Sequence, residues 1–288
     1  MKISRRVFNR ASTVVTVLLA QYAFAKAAEL WQEFGLQPSE YDSTVTRDFD
    51  SLRTEDSYLD QIRKSIASVA FPTDSGSAVL LDEQGTVVLC DHEVDSHRAE
   101  LTFFPRQGVS CHATAIVRYN NPKQDFALAT MNPFIIGEYG LRPIRFGPMG
   151  YDDINFGSRV TLAGYRDWRL QASVARILML NAKLPVSFDG GENACKVLSQ
   201  GASHPGMSGG CVFKDRLFRG LINAGASVYG AEIMTYFTPA DVIRNAYVSF
   251  FPVRARIAGV SATREEMNDP RMPETCAFDR RQFLSYLM

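Results

Sequence analysis

The sequence lacks the features that mark several classes of protein. Its 31 basic residues equal its 31 acidic residues, so no polyelectrolyte partner is implied. No basic stripe is interleaved with aromatic residues, which argues against nucleic-acid binding. No internal repeat or low-complexity stretch is present. What remains is a 288-residue chain with 46% hydrophobic residues, enough for the core of one or two globular domains.

Histidine is scarce, with four residues, and the five cysteines are an odd number. At least one thiol is therefore free or paired outside the chain. Cys90 lies two residues before His92, but no second Cys/His pair has the spacing of metal ligands, so we predict no metal and no cofactor. The other cysteines and histidines are Cys111, Cys195, Cys211, Cys276, His97, His112 and His204.

The first 27 residues contain basic residues but no acidic ones. A basic segment, MKISRRVFNR, precedes a moderately apolar one and then Ala-x-Ala spacing, which is the order of an export signal. The pair Arg5-Arg6 further resembles the twin-arginine signal of bacteria. The apolar run is too short for a stable spanning helix, and the alternative interpretation is an amphipathic N-terminal helix. We predict export to the periplasm or the exterior. Without residues 1–27 the formal net charge is −5, from 26 basic and 31 acidic residues.

Residues 28–65 are predicted to form a lead segment that ends in a short helix. Apolar residues recur at spacings of three and four between Glu55 and Ile66, which indicates an amphipathic helix with Thr54 as its N-cap. Residues 246–288 are polar and charged, and we interpret them as a C-terminal tail that is too short for another ordinary domain.

The central part of the chain consists of short apolar runs separated by turns. The runs GSAVLL and TVVLC flank the turn DEQG, which is a hairpin pattern. A Gly- and Pro-rich connector, residues 141–157, separates this series from a second one. The two series predict an all-β fold of two barrels or sandwiches, with barrels at about 66–140 and 158–238. A closing helix is predicted over TPADVIRNAYVSF, with Thr238 as its N-cap and Pro239 at its first position.

Three residues with complementary chemistry lie at the ends of predicted strands. His92 ends the second strand of the first hairpin, Asp125 opens the strand FALAT, and Ser208 lies in SHPGMSGG. A serine hydroxyl is a poor nucleophile unless a base removes its proton, which histidine can do near neutral pH. A carboxylate can hold that histidine in one tautomer and stabilise the imidazolium. Since Gly206 has no side chain, its N–H can point inward beside that of Ser208 and stabilise an oxyanion.

These segments resemble the trypsin-like peptidases of the chymotrypsin-fold superfamily and, within it, the HtrA-type bacterial branch. The resemblance is carried by GSAVLLDEQGTVVLCDHEVD, QDFALAT and HPGMSGG, the last followed by an apolar strand. It covers residues 66–245, with 33 positions from His92 to Asp125 and 83 from Asp125 to Ser208. The resemblance implies two antiparallel β-barrels with the active site between them. The patterns described above add a short N-terminal lead helix and a C-terminal helix.

The resemblance also implies a role for each residue. His92 is the general base, Asp125 orients it, and Ser208 is the nucleophile, with the N–H groups of Gly206 and Ser208 forming the oxyanion hole. Ala202, six residues before the serine, corresponds to the base of the specificity pocket, so a small or apolar residue is expected before the scissile bond. The implied function is that of an exported serine endopeptidase acting on polypeptides. The alternative is an inactive relative that binds exported or unfolded polypeptides without cleaving them.

The sequence departs from the family pattern in ways that limit the resemblance. Met207 stands where activated digestive-type enzymes carry Asp, so activation by an ion pair with a new N-terminus is not expected. The residues after 245 are too few for the peptide-binding PDZ domain that usually follows an HtrA-type protease. If the triad forms, Cys90 and Cys211 approach each other beneath it, and we predict either a disulfide or two buried thiols.

Overall fold

The computed structural model describes residues 47–48, 57–70, 75–94, 97–106, 108–150, 153–155, 157–166, 168–182, 196–200, 203, 206–228 and 231–260. Several sequence predictions concern residues outside these ranges: the export signal at 1–27, Thr54, Ala202, His204, Cys195, Cys276 and the tail after residue 260. Within the described ranges, no helix has both the length and the apolar character needed to cross a membrane.

The first six strands after the lead segment form a closed barrel. The strands are β2 (Ile66–Ala70), β3 (Ser75–Leu80), β4 (Thr86–Leu89), β5 (Arg98–Arg106), β6 (Val109–Asn121) and β7 (Phe126–Thr130). Their spatial order is β2-β3-β4-β7-β6-β5, with antiparallel neighbours. The interior is filled mainly by alanine, valine and leucine side chains, with Phe103 as the aromatic ring. Small residues suit this barrel because its strands curve tightly around one packed core.

The second barrel is built from the strands that follow the connector. These are β8 (Arg159–Arg166), β9 (Arg169–Ala182), β10 (Lys196–Gln200), β11 (Cys211–Lys214), β12 (Leu217–Val228) and β13 (Ala231–Pro239), and β1 (Arg47–Asp48) from the lead segment pairs with β9. The order β9-β10-β13-β12-β11-β8 returns to β9 through a further β8–β9 pairing, so the strands close into a ring. The prediction of two antiparallel barrels is confirmed.

The two barrels pack together through their outer faces. In β3, Leu80 lies in the interior of the first barrel while its neighbour Val79 joins the cluster between the barrels. The same alternation occurs in β4, where Val87 points inward and Val88 outward. Because side chains alternate across a strand, a strand that is buried on both faces reads as a continuous apolar run. This explains the apolar run at residues 87–89 of β4. Thr86, which begins the strand, is polar, and its Oγ1 accepts a hydrogen bond from Arg254 at 3.1 Å.

Four helices accompany the barrels within the described residues. They are α1 (Ser57–Ser65), α2 (Phe134–Tyr139), α3 (Ala240–Phe250) and α4 (Pro252–Ile257). The predicted lead helix is α1, but Ile66 already belongs to β2, a strand that the sequence patterns did not indicate. The short helix α2 was also missed. It ends at Gly140, whose left-handed conformation (φ 64°) terminates the helix.

The C-terminal helices fix the first barrel to the second. The Tyr247 hydroxyl on α3 donates to Asp82 Oδ2 at 2.6 Å, and Asp82 is the residue that closes the β3–β4 turn by accepting from the Thr86 N–H at 2.8 Å. Arg254 on α4 donates to the Gln84 carbonyl of the same turn at 3.0 Å. The closing helix therefore holds the hairpin that leads to His92.

A buried arginine holds the connector in place. Arg219 on β12 is 4% exposed and donates to the carbonyl oxygens of Pro148 and Gly150 at 2.6 and 2.9 Å. It also pairs with Asp153 Oδ1 at 2.6 Å. These contacts of the two terminal guanidinium nitrogens offset much of the cost of burying the charge. The Gly- and Pro-rich connector is thus bound along the second barrel.

Candidate active site

His92 lies at the end of the first hairpin. It occupies the 3-10 turn Asp91–Glu93 that follows β4, and its side chain is 30% exposed. Its backbone N–H donates to Asp125 Oδ1 at 3.0 Å. The turn therefore fixes the main chain of His92 against the same carboxylate that its ring contacts.

Asp125 is buried and lies directly before β7. It is 2% exposed and has a φ of 52°, a left-handed conformation that Asp tolerates better than most residues. Both of its carboxylate oxygens lie 2.9 Å from His92 Nδ1. Because a carboxylate only accepts, the ring proton of the neutral imidazole is assigned to Nδ1, and Nε2 is the unprotonated nitrogen. His92 is thus held in the tautomer that a general base requires.

Ser208 is presented by the turn at residues 206–210, called the Ser208 turn below. Its carbonyl oxygen accepts from the Ser77 N–H of β3 at 2.7 Å, which fixes the turn to the first barrel. Its Oγ donates to the carbonyl oxygen of Asn223 on β12 at 3.4 Å, a long hydrogen bond. The Ser208 turn therefore lies at the junction of the two barrels.

Two glycines with positive φ give the Ser208 turn its shape. Gly206 has a φ of 91° and Gly209 a φ of 71°, conformations that glycine adopts without strain. The Gly209 N–H donates to the carbonyl oxygen of Ile222 at 2.8 Å. Among the described residues, the N–H groups of Gly206 and Ser208 donate no backbone hydrogen bond. These are the two N–H groups that the sequence assigned to an oxyanion hole.

Met207 points away from Ser208 into the second barrel. It is fully buried and packs with Ile154, Val160 and Phe237. A carboxylate at this position would lie in an apolar interior, where an unpaired charge is strongly disfavoured. The site thus holds the Ser208 turn by apolar packing at the position where digestive-type enzymes use an ion pair.

Asn223 connects the predicted catalytic residues, although the sequence analysis did not single it out. Its Nδ2 donates to Asp125 Oδ2 at 3.0 Å and to the Asp125 carbonyl at 2.6 Å. Its own carbonyl accepts from Ser208 Oγ, so Asn223 links Ser208 to Asp125, the residue that pairs with His92. The available signal was a single amide in RGLINAGA, an otherwise apolar strand that could bury it only with hydrogen-bond partners.

Thr238 fixes the Asn223 amide, which corrects one prediction. Its Oγ1 lies 2.8 Å from Asn223 Oδ1 and 2.6 Å from the carbonyl oxygen of Gln124. The predicted N-cap role is wrong: α3 begins at Ala240, Pro239 is the residue at the cap, and no side chain caps the helix. Thr238 is fully buried, and its hydroxyl meets acceptors from both barrels instead.

Cys90 is a buried thiol beneath the site. Its Sγ donates to the Ile222 carbonyl at 3.1 Å and accepts from the Gly209 N–H at 3.1 Å. The hypothesis of a disulfide with Cys211 is wrong, because neither cysteine forms a disulfide and Cys211 Sγ is directed toward the carbonyl oxygen of Val212 at 3.7 Å. Burial also raises the pKa of the Cys211 thiol well above its usual value. The alternative of two buried thiols is the one found.

The position next to the predicted pocket residue is uncharged and buried. Ser203 follows Ala202 in sequence and is 2% exposed. Its Oγ accepts from Thr235 Oγ1 at 2.7 Å, and Thr235 lies on β13 opposite Gly225 of β12. The pair of Ser203 and Thr235 therefore contributes no formal charge to this region.

Comparisons with known proteins identify the fold. No protein-family model matches the chain, and no curated protein sequence matches it significantly. Solved structures do match: Deg5 has a TM-score of 0.53 and 15% identity, over 66% of this chain and 91% of that one. The HtrA-type protease AlgW, solved with a decapeptide, has a TM-score of 0.53 and 16% identity, over 72% and 77%. The MamO protease domain from Magnetospirillum magneticum has a TM-score of 0.51 and 16% identity, over 65% and 97%.

The similarity spans most of each matched chain, while sequence identity is low throughout. The shared feature is the fold, which in this chain consists of a pair of six-stranded antiparallel barrels. The chain therefore has the chymotrypsin-like two-barrel fold of trypsin-like serine proteases, in the form found in HtrA-type proteases.

Proposed function

We propose that the protein is an exported serine endopeptidase that cleaves polypeptides through an acyl-enzyme on Ser208. The observation that carries this proposal is the pairing of His92 Nδ1 with both oxygens of the buried Asp125, beside a serine on a glycine turn. The fold shared with HtrA-type proteases supports the same reaction class.

In this mechanism, His92 Nε2 takes the proton of Ser208 as Oγ attacks the scissile carbonyl carbon. Asp125 holds the Nδ1 proton and stabilises the imidazolium that forms. The developing oxyanion accepts hydrogen bonds from the N–H groups of Gly206 and Ser208. These two groups donate no backbone hydrogen bond within the described residues. His92 then donates its Nε2 proton to the leaving amine, and water hydrolyses the acyl-enzyme with His92 as the base again.

The Ser208 hydroxyl must turn for this step to begin. It is directed toward the carbonyl oxygen of Asn223 at 3.4 Å, a hydrogen bond long enough to exchange at small cost. Rotation about one side-chain bond redirects the hydroxyl, which requires no movement of the turn. The alternative function is that of a polypeptide binder that does not cleave. In that case the Ser208 hydroxyl does not transfer its proton to His92, even after this rotation.

Labelling with a fluorophosphonate probe distinguishes the two functions. We expect the full chain to be labelled stoichiometrically at Ser208 and the variant Ser208→Ala not at all. Ser110→Ala, which removes an exposed serine on β6, is the matched control and should label like the wild type. Folded protein that takes up no probe would refute the peptidase and support the binder.

The proposal includes cleavage after small or apolar residues and export. The uncharged Ala202 and the buried Ser203–Thr235 pair support the first point. Digestion of a peptide library should show no preference for Lys or Arg before the cut, and a strict Lys/Arg preference would exclude this specificity.

The acid-free segment 1–27 supports the second point, which is export. Replacing Arg5 and Arg6 by lysine should leave the protein in the cytoplasmic fraction, and unchanged export would argue against a twin-arginine signal.

A further inference from the structure

Three groups that commonly bind metals meet beneath the candidate active site. Sγ of Cys90, a ring nitrogen of His92 and a carboxylate oxygen of Asp125 all lie within 4.8 Å of one another. Within the described part of the chain, this is the one cluster of three or more such groups. Thiolate, imidazole and carboxylate together form a donor set typical of zinc and cadmium.

The sequence did not reveal this cluster, because its third group, Asp125, is far from Cys90 and His92 along the chain. Cys90 and His92 are two residues apart at the end of β4, whereas Asp125 precedes β7. Both carboxylate oxygens face Nδ1, so a cation at this position would use Nδ1 and leave Nε2 on the opposite side of the ring. His92, with a 30% exposed side chain, is the ligand nearest to solvent, while Cys90 and Asp125 are buried.

A cation can bind here without leaving buried backbone groups unpaired. Cys90 would lose its hydrogen bond to the Ile222 carbonyl, but that oxygen also accepts from the Gly209 N–H at 2.8 Å. Gly209 therefore keeps a partner as well. Asn223 Nδ2 keeps its 2.6 Å bond to the Asp125 carbonyl. Unsatisfied buried polar groups are the usual cost of inserting an ion, and the polar groups of Ile222, Gly209 and Asn223 avoid that cost here.

We propose that a zinc-class divalent cation binds Cys90, His92 and Asp125 and thereby switches off the catalytic histidine. Bonds form from the metal to Sγ, Nδ1 and a carboxylate oxygen. The thiol proton leaves to solvent, while the Nδ1 proton is lost and one proton is taken up at Nε2, so the net release is one proton. No oxidation or reduction occurs. With its proton on Nε2, His92 cannot accept the proton of Ser208.

The inhibition rests on the proposed peptidase function, whereas the binding of metal does not. Because the metal lies on the Asp125 side of the ring, it should lower kcat and leave KM unchanged. A cation held instead by Nε2 and Ser208 would occupy the cleft, compete with substrate and not depend on Cys90. The thiol is therefore the residue that distinguishes the two sites.

Cadmium titration of the full chain tests the site directly through the ultraviolet thiolate-to-metal charge-transfer band. The variant Cys90→Ser can retain the contacts to Ile222 and Gly209 but removes the thiolate, so its cadmium affinity should fall by at least about 100-fold. Cys211→Ser, which removes a buried thiol of the second barrel, should bind cadmium as the wild type does. Equal affinity in Cys90→Ser and wild type would overturn the proposal, as would a band that disappears in Cys211→Ser.

Zinc inhibition of fluorophosphonate labelling supplies the second readout. Each variant is compared with its own rate without metal, and the zinc concentration for half inhibition should rise about 100-fold in Cys90→Ser and not in Cys211→Ser. Inhibition that competes with substrate would also overturn the proposal. If no variant takes up the probe even without zinc, the peptidase function fails, and the cadmium titration still decides whether the metal site exists.

Discussion

The two barrels have the same architecture and different tasks. In each, six antiparallel strands follow the order first, second, third, sixth, fifth, fourth. The first barrel carries His92 and Asp125, and the second carries Ser208 and Asn223. Neither barrel holds all three of the candidate residues His92, Asp125 and Ser208 by itself. The site is therefore a property of the junction, and whatever aligns the barrels also aligns the chemistry.

The interiors of the barrels differ more than their topologies. The first core is dominated by alanine, valine and leucine, whereas the second contains Met207 and Phe237. No sequence repeat relates them. Closing six strands into a barrel requires a compatible tilt and alternating inward residues, and many side-chain combinations meet that requirement. The repeated feature is thus a strand order, which sequence periodicity alone does not reveal.

The sharpest test of the first barrel's contribution is Asp125→Asn. An amide can donate to Nδ1, which favours the tautomer with its proton on Nε2, so His92 can no longer act as a base. We expect turnover to fall about 10⁴-fold with little change in stability. Rates of peptide cleavage or of fluorophosphonate labelling measure the effect. A loss below about tenfold would mean that the carboxylate does not set the tautomer.

The corresponding test of the second barrel is Asn223→Ala. Removing two N–H donors leaves the Asp125 carboxylate free to shift, so kcat should fall about 10- to 100-fold while KM stays constant. Asn223→Ser keeps one donor and should recover part of the activity, whereas Asn223→Asp places a second carboxylate beside Asp125 and should be the least active.

Thr238→Val is the matched control for this series. It removes the hydroxyl that orients the amide but leaves the amide itself, so its kcat should lie between those of Asn223→Ala and the wild type. A change in KM alone, or equal activity of the Ser, Ala and Asp variants, would show that Asn223 supports the fold rather than the carboxylate.

The smallest expected effect concerns the helix that joins the barrels. Tyr247→Phe removes the donor to Asp82 Oδ2 and should lower the free energy of unfolding by about 1.5–3 kcal/mol at neutral pH. Burial, followed by the hydrogen bond and the charge of Asp82, raises the pKa of Tyr247 above its usual range. In the unfolded chain this hydroxyl ionises near pH 10, while in the folded protein it stays protonated.

Because the pKa of Tyr247 is higher in the folded protein than in the unfolded chain, its contribution to the free energy of unfolding is complete below about pH 10. Above about pH 10 this contribution decreases by up to about 1.4 kcal/mol per pH unit. Chemical denaturation at several pH values should therefore show the wild type and Tyr247→Phe converging in stability above pH 10. Tyr119→Phe is the control at neutral pH, since the Tyr119 hydroxyl accepts from Asn121 and has no carboxylate partner in that hydrogen bond. A constant difference between wild type and Tyr247→Phe at all pH values would contradict the linkage.

Much of the fold followed from local patterns. The run FALAT forms a strand at the predicted bounds, and GSAVLL and TVVLC differ from β3 and β4 only at their ends. Turn residues and apolar runs are local signals, and they suffice where a strand is bounded by polar turns. The strand β2 was missed because it follows α1 without a turn, so that Ile66 fits the helical spacing as well as the strand.

The sequence by itself determined most of the strands, the all-β class and the three residues His92, Asp125 and Ser208 as candidates for one site, and its resemblance to a known family implied the two barrels. Only the tertiary structure decided the roles of Asn223, Thr238 and Cys90. Each of these side chains makes its decisive contact with a residue far away in sequence, such as Asn223 with Asp125 or Thr238 with Gln124. Local propensity cannot encode such contacts. They arise because packing the outer faces of two closed barrels excludes water and leaves buried polar atoms to find partners across the junction.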